Sequence, residues 1–471
     1  MSKRGEHGRY ARHGQQRPVA ARNAAPLALS RVRLRQPGLR PVPRLSQTSP
    51  SSGSCQHQGV PREPRRAPNP AVGSRRGALL QIDFHSSAGP SLGVEMELEI
   101  VDVDTRELHS GATEILADAG RPYDGDHPKA KHELLESTIE IITGICSTVG
   151  EARADLEATL VELQPHLERR DLAFICSGTH PFSDWAKQQI SPNPRYERLV
   201  EEMQWLARRL QIFGIHVHVG VRSAEKAIAI ANALTAYIPH FLALSASSPY
   251  WMGQDTGLAS SRSKIFEGLP TAGLPYQLSG WSEFEDFMHT LVSAKAISSI
   301  REVWWDIRPH PDFGTVELRI CDGLPTMSEV ASMAAISQCL VEWLDTRHDE
   351  GHELPVPHSW VVRENKWRAA RHGINAELIT DDSGTLAHMG DAIADLIDEL
   401  TPTARRLGCE AELDHARAIV EHGPSYLRQR DVVASGGTLV DVVDSLIDEL
   451  HTDRPHVIGT AHRTEQQRPR G

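Results

Sequence analysis

Four short segments of this 471-residue chain repeat one pattern, with ionisable side chains on one side and apolar ones on the other. In GVEMELEI (93–100), Glu95, Glu97 and Glu99 alternate with Val94, Met96, Leu98 and Ile100. Side chains of a strand alternate between its two faces, so this segment has one oily and one acidic side. Carboxylates about 7 Å apart repel by roughly 2–2.5 kcal/mol per pair at an effective dielectric near 20. Either water on an open face or a bound cation must offset that repulsion.

Three further segments follow the same rule. ESTIEIITG (136–144) places Glu136, Thr138 and Glu140 opposite Ser137, Ile139 and Ile141, and its Thr and Ile favour strand over helix. GIHVHVGV (214–221) puts His216 and His218 on one face, and GTVELRICD (314–322) sets Glu317 and Arg319 against Val316, Leu318 and Ile320. Taken singly, each has an ordinary explanation: solvated acids, hydrogen-bonded histidines, a cross-strand ion pair. Taken together, they predict one sheet whose oily side is covered by helices and whose other side gathers carboxylates, imidazoles and guanidinium in a cleft. Carboxylates with one or two imidazoles and few thiolates suit Mg²⁺ or Mn²⁺ better than zinc. Such ions in a cleft usually hold phosphates. The chain has no GxxxxGK[ST] loop and no GxGxxG, so a nucleotide would have to be held by metals and arginines.

Strand-like runs concentrate between residues 90 and 322, with amphipathic helices between and after them. Helices are expected over about 195–214, 224–247, 281–300 and 326–348, and the last 120 residues read as mostly helical. The fold class is therefore α+β, with a helical portion from about residue 326. Residues 1–77 differ in kind. They carry 16 Lys and Arg against 2 acids, are rich in Pro, Ser and Gly, and lack apolar periodicity. They read as a disordered basic leader ahead of one domain, 78–471. A transit peptide or a nucleic-acid arm fits this leader less well than upstream sequence brought in by a misplaced start. The six cysteines show no CxxC pair, which points to a reducing cytoplasm. The apolar stretch AIAIANALTAYIPHFLALSA is broken by Asn232, Pro239 and His240 and reads as a buried helix rather than a membrane span.

The five segments GVEMELEI, HELLESTIEIITG, GIHVHVGV, SRSKIFEGLPTAGLPY and WWDIRPHPDFGTVELRICDG, in that order and followed by ENKWRAARHGINAELI, resemble the carboxylate-amine ligases related to type 2 glutamate-cysteine ligase, in the glutamine-synthetase-like superfamily. The resemblance implies a curved antiparallel sheet forming a funnel backed by helices. It implies a Mg²⁺- (or Mn²⁺-) and ATP-dependent ligase that phosphorylates the side-chain carboxylate of glutamate, then joins it to the amine of cysteine or a related amine. Carried over residue by residue, it makes Glu95, Glu97, Glu136, His216 and Glu317 metal ligands, Arg319 the cation beside the transferred phosphoryl group, and Arg262 a substrate or phosphate clamp. His218 and Arg308 become substrate-binding cleft residues, and FEGLPTAGLPY a shaped loop near the cleft. Partners are then small molecules, without nucleic acid or membrane, and a homodimer is left open. Two rivals are a metal-dependent amidohydrolase built on HVH and a non-catalytic nucleotide-binding relative.

Overall fold

The alternating segments become neighbours in one sheet. The structure, a computed structural model, describes residues 81–457, and the basic leader lies outside them. Seven strands form the sheet: β1 (Leu92–Asp102), β2 (Ala130–His132), β3 (Thr138–Ile142), β4 (Leu172–Ile175), β5 (Ile215–Gly220), β6 (Ile307–His310) and β7 (Thr315–Leu318). Their order is β2-β3-β1-β5-β7-β6, with β4 also on β1, and every neighbouring pair is antiparallel. Val94, Met96, Leu98 and Ile100 are buried in the main core with Ile139, Ile141, Ile215 and Val217, as period-two alternation requires.

Helices seal that oily side. Val149–Glu168 starts at a capping box in which Thr148 accepts from the Glu151 N–H while the Glu151 carboxylate accepts from the Thr148 N–H. Such a cap contributes about 1 kcal/mol. Met327–Asp349, capped by Thr326, is buried along most of its length. The helical run Ala224–Ser245 is long and apolar enough to cross a membrane, but 78% of its most apolar window is buried inside the protein. Thr235–Tyr237 interrupts it as a tight turn, and Pro239 stands in the first turn of the helix that resumes at Ile238. From Met327 onward helices dominate, apart from the short hairpin Glu377–Ile379 and Leu386–His388. Arg428 pins this part internally: its fully buried guanidinium grips Glu329 and Glu449 at 2.8–3.1 Å.

Two helices are shorter than the sequence suggests. The run expected to end near Gly214 stops at Met203, where Gln204 turns to φ 49, resumes for Trp205–Arg208, and then straightens. That extended approach carries Ile212 and Phe213 past the sheet and delivers Gly214 to the start of β5. Trp281–Ser293 ends where Lys295 takes φ 57. It packs Phe284 and Met288 into a second apolar cluster with Trp305, beside the sheet's β6 edge.

Candidate active site

Strand register, more than any single residue, builds the site. Lys131 on β2 stands opposite Glu140 on β3, and Glu140 opposite Glu97 on β1. Two residues earlier on β1, Glu95 faces His216 on β5. His218 then faces Glu317 on β7, and Glu317 faces Arg308 on β6. A diagonal row of ionisable groups thus crosses six strands and floors a cavity of about 1140 Å³.

The row divides into two halves of different electrostatic character. In the first, Glu95 bonds His216 Nδ1 at 2.9 Å and lies 3.3 Å from His218 Nε2. Glu317, fully buried, accepts from the Arg308 guanidinium at 2.6 and 2.8 Å and also from Arg319. Burial opposes ionisation of both carboxyls. The histidine bonds nevertheless hold Glu95 well below the usual carboxylate range, and Arg308 and Arg319 do the same for Glu317. His216 is pushed down to about 4 by burial and by Arg319, so it is neutral. Burial works against protonation of His218, but Glu317 and Glu95 together outweigh it and raise the imidazole.

In the second half the acids outnumber their cations. Glu97 is pushed up to about 8 by burial and by the nearby Glu133 carboxylate, although the Gly214 N–H donates to it at 2.5 Å. Glu140 is raised well above its ordinary value by burial and by Glu95, Glu133 and Glu97. Burial also raises Glu133, against the bond it accepts from the Tyr196 hydroxyl at 2.8 Å. Carboxyls that resist ionisation because they are buried and face one another are a site that a divalent cation would relieve. Two sets of ligand atoms lie within 4.8 Å of one another: Glu95, His218 and Glu317, and Glu95, Glu140 and His216. Both share Glu95, and their oxygen-rich, thiolate-free composition fits Mg²⁺ or Mn²⁺.

The structure brings Glu95, Glu97, His216, His218, Arg308, Arg319 and Arg262 to this one cavity, with Glu317 buried just beneath its floor beside Glu95 and His218. It does not bring Glu136 there. Residues 136 and 137 form a turn before β3, so the Glu136 carboxylate points to the other side, where it accepts from the Thr113 N–H at 3.2 Å and hydroxyl at 2.6 Å. Glu133 and Glu140 occupy the position expected of it. The third acid of β1, Glu99, is fully buried and accepts from the Ser177 hydroxyl at 2.7 Å, away from the cavity. Arg308 is committed to positioning: besides Glu317 it bonds the carbonyls of Ile300 and Val303, each at 3.1 Å.

Arg262 is held at the end of the row. Its guanidinium donates to the carbonyls of Ile320 and Arg319 at 3.3 Å and stands 3.9 Å from Asp322. Asp322 in turn accepts from the Ser247 N–H and from the hydroxyls of Ser248 and Ser260 at 2.7–3.1 Å. Lys366, from ENKWRAARHG, lines the same cavity between Asp306 and Glu267, 2.6 Å from each. The Phe266–Tyr276 loop forms one wall. It is tied down where the Gly273 N–H (φ 101) donates to the Trp304 carbonyl and the Asp306 N–H donates to the Gly273 carbonyl.

Comparison with known proteins agrees with this geometry. Residues 91–445 match the model of glutamate-cysteine ligase family 2 (GCS2). The chain is 56% identical over 382 residues to the protein named "Putative glutamate--cysteine ligase 2-1" of Frankia casuarinae, covering 81% of this chain and 100% of that one. It is 49% identical over 394 residues to the corresponding ligase 2 protein of Thermobifida fusca, covering 83% and 98%. Among solved structures, the glutamate–cysteine ligase of Francisella tularensis in complex with AMP shares the fold, with a TM-score of 0.58 at 12% identity, over 82% of this chain and 92% of that one. A bifunctional glutathione synthetase from Pasteurella multocida aligns with a TM-score of 0.57 at 15% identity, over 77% of this chain and 52% of its own length.

Proposed function

Because this chain belongs to glutamate-cysteine ligase family 2 and is thus a ligase forming carbon–nitrogen bonds, we propose that it uses ATP and Mg²⁺ (or Mn²⁺) to join the side-chain carboxylate of glutamate to the amine of cysteine or a related amine. The observation that carries this reading is the row of Glu95, Glu97, Glu133, Glu140, His216 and His218 along one cavity, with Glu317 buried beneath it and Arg262 and Arg319 at its end. AMP in the Francisella tularensis ligase structure supports an adenine nucleotide as co-substrate.

The reaction has two steps. A carboxylate oxygen of glutamate attacks the γ-phosphorus of ATP, forming an acyl phosphate as the bond to ADP breaks. The amine nitrogen then attacks the acyl carbon; the C–N bond forms, phosphate leaves with the C–O bonding pair, and the nitrogen loses a proton. Bound Mg²⁺ would be held by Glu95, Glu97, Glu133, Glu140, His216, His218 and Glu317, and supplies neutralisation of phosphate charge. Arg319, fixed on Glu317, places a permanent cation where charge develops on the transferred group. Arg262 offers its fork to paired phosphate or carboxylate oxygens. The Phe266–Tyr276 wall limits water, which would otherwise hydrolyse the acyl phosphate.

The test is product analysis. With ATP, Mg²⁺, glutamate and a panel of amines, ADP, phosphate and a γ-glutamyl amide should appear in equal amounts. Amide hydrolysis that proceeds without ATP would refute the ligase mechanism in favour of a hydrolase.

A further inference from the structure

The cavity holds two aromatic patches at opposite ends of edge strand β6. His310 and Phe313 stack at one end, ring centroids 4.1 Å apart and 6° from parallel. Both rings meet His218 edge-on, at 5.8 and 5.6 Å. Phe313 is 55% exposed, so the ring face turned away from His310 is open. Trp305, Phe287 and Tyr276 gather at the other end, with centroids 4.9 and 5.8 Å apart, and Leu291 and Ile297 beside them on the cavity wall. Five residue steps of chain run from Trp305 to His310, about 16 Å if extended.

These patches differ in what stands beside them. The His310–Phe313 stack touches the Glu95–His218–Glu317 triad through His218. The base of a nucleotide whose phosphates are held at that triad therefore has a flat ring within reach there. The Trp305 patch instead adjoins the arginine end of the row. The Arg319 N–H donates to the carbonyl of Asp306, next to Trp305, and Arg262 bonds the Arg319 carbonyl. Once the base is placed at Phe313, an apolar corner remains next to the group that receives the phosphoryl transfer. Trp305 and Ile297 are themselves buried in the apolar cluster of the Trp281–Ser293 helix, so the open contact area of the corner is the exposed Tyr276 ring with the half-buried Phe287 and Leu291, and a single thiol would reach little of it.

Resting on the ligase reading, we infer that the amine acceptor carries a bulky apolar group, larger than the cysteine side chain, and that Tyr276, Phe287 and Leu291 receive it, backed by the buried Trp305 and Ile297. Aromatic side chains supply large apolar contact areas and favour offset or edge-on partners, so an aryl group fits this corner best. One methylene in an apolar pocket is worth about 10- to 200-fold in discrimination, and a ring is worth more.

The experiment uses the full chain and two readouts. In turnover with ATP, Mg²⁺ and glutamate, phenethylamine should give a kcat/KM at least about tenfold above that of cysteine. Tyr276→Ala should remove that advantage and leave the KM for ATP unchanged, while Tyr276→Phe retains it. Tyr276 is 64% exposed, so its truncation spares the core. In calorimetry without ATP, phenethylamine should bind the wild type at least about tenfold more tightly than Tyr276→Ala. Cysteine turned over best, an unchanged acceptor ranking in Tyr276→Ala, or an effect of that variant on the KM for ATP each overturns the inference. The last would assign the corner to the nucleotide base. ATP cleavage with none of the amines is the failure of the ligase reading; calorimetry then still decides the corner, equal binding to both proteins overturning it.

Discussion

A methyl group at residue 214 should disable the site while leaving the fold in place. Gly214 immediately precedes β5, and its N–H donates to Glu97 at 2.5 Å. A Cβ there would stand 2.8 Å from Cζ of Arg262, closer still to Nη2, and 2.9 Å from the Cys321 carbonyl oxygen. Ordinary contact begins near 3.4 Å. The Cys321 backbone can give only a few tenths of an ångström, so most of the adjustment falls on the guanidinium, which must retreat by about 1 Å and leave its 3.3 Å bonds to the Arg319 and Ile320 carbonyls. A misplacement of that size in a positioning group costs about 100-fold in rate, equivalent to about 2.7 kcal/mol of barrier. The accompanying overpacking costs about 1–3 kcal/mol of stability, which this large core tolerates. Gly214→Ala should thus melt within a few degrees of the wild type and release ADP at about one hundredth of its kcat/KM. Gly178→Ala is the companion. Its Cβ would meet the Asp322 carboxylate at 2.6 Å, and the serines that hold Asp322 pass the displacement to Arg262. A folded Gly214→Ala protein with kcat/KM within threefold of wild type would refute the assignment of Arg262 to substrate or phosphate.

Acid should destabilise the fold through two histidines outside the site. Burial pushes His180 down to about 3 and His240 to about 4, so each is neutral in the folded chain and titrates near 6.5 once unfolded. Their stabilisation is complete above pH 6.5 and is lost as pH falls below it, because the unfolded state then binds the extra protons. At pH 5 the loss is about 2 kcal/mol each, and urea melts of a His180→Asn, His240→Phe protein should show a flatter slope between pH 5 and 6.5. Arg428→Met should cost about 3–5 kcal/mol in the same melts by stranding Glu329 and Glu449 as buried, unpaired charges; a loss below 1 kcal/mol would show that the ion triad is not what holds the C-terminal helices. A chain beginning at residue 78 should turn over like the full chain. One beginning at residue 92 should lose stability, because Ile82 bonds Glu285 and Trp281, and the His85 and Ser87 N–H groups bond the carbonyls of Pro311 and Val221.

Period-two alternation made the sheet legible. Each of β1, β5 and β7 is one uninterrupted strand, so charge on alternate residues marks a single face, and register then lines those faces up. Arg319 follows from the same rule, whereas Arg308 is indicated only by the family resemblance. The remaining parts come from places where local periodicity carries no information. Asp322 and the serines that hold it meet across gaps of 62–75 residues, and Lys366 reaches Asp306 from a helix 60 residues on. Tyr276, Phe287 and Trp305 converge from a loop, a helix and a strand entrance. No spacing in the chain announces any of these meetings.

Glu136 shows where the rule itself fails, and it allows a sharp test. Alternation predicts a shared face only while the strand is continuous. The Thr138 N–H donates to the Leu135 carbonyl at 3.0 Å, closing a turn over residues 136 and 137 that resets the phase before β3 begins. Glu140, inside the strand, keeps its face toward Glu97, while Glu136 is turned to the Thr113 N–H at the start of a helix. Glu133, on the far side of the turn, points into the cavity and raises the protonation of both Glu97 and Glu140. If the cation is held by the groups that repel one another, Mg²⁺ should raise the melting temperature of Glu136→Gln as much as that of the wild type, and that of Glu133→Gln distinctly less. A ligand present at 100 times its dissociation constant stabilises by about 2.7 kcal/mol, so a tenfold weaker site loses about 1.4 kcal/mol of that gain. Equal Mg²⁺ responses in Glu133→Gln and wild type, with a lost response in Glu136→Gln, would mean that the turn rearranges when the metal binds and that the alternation had marked the right acid.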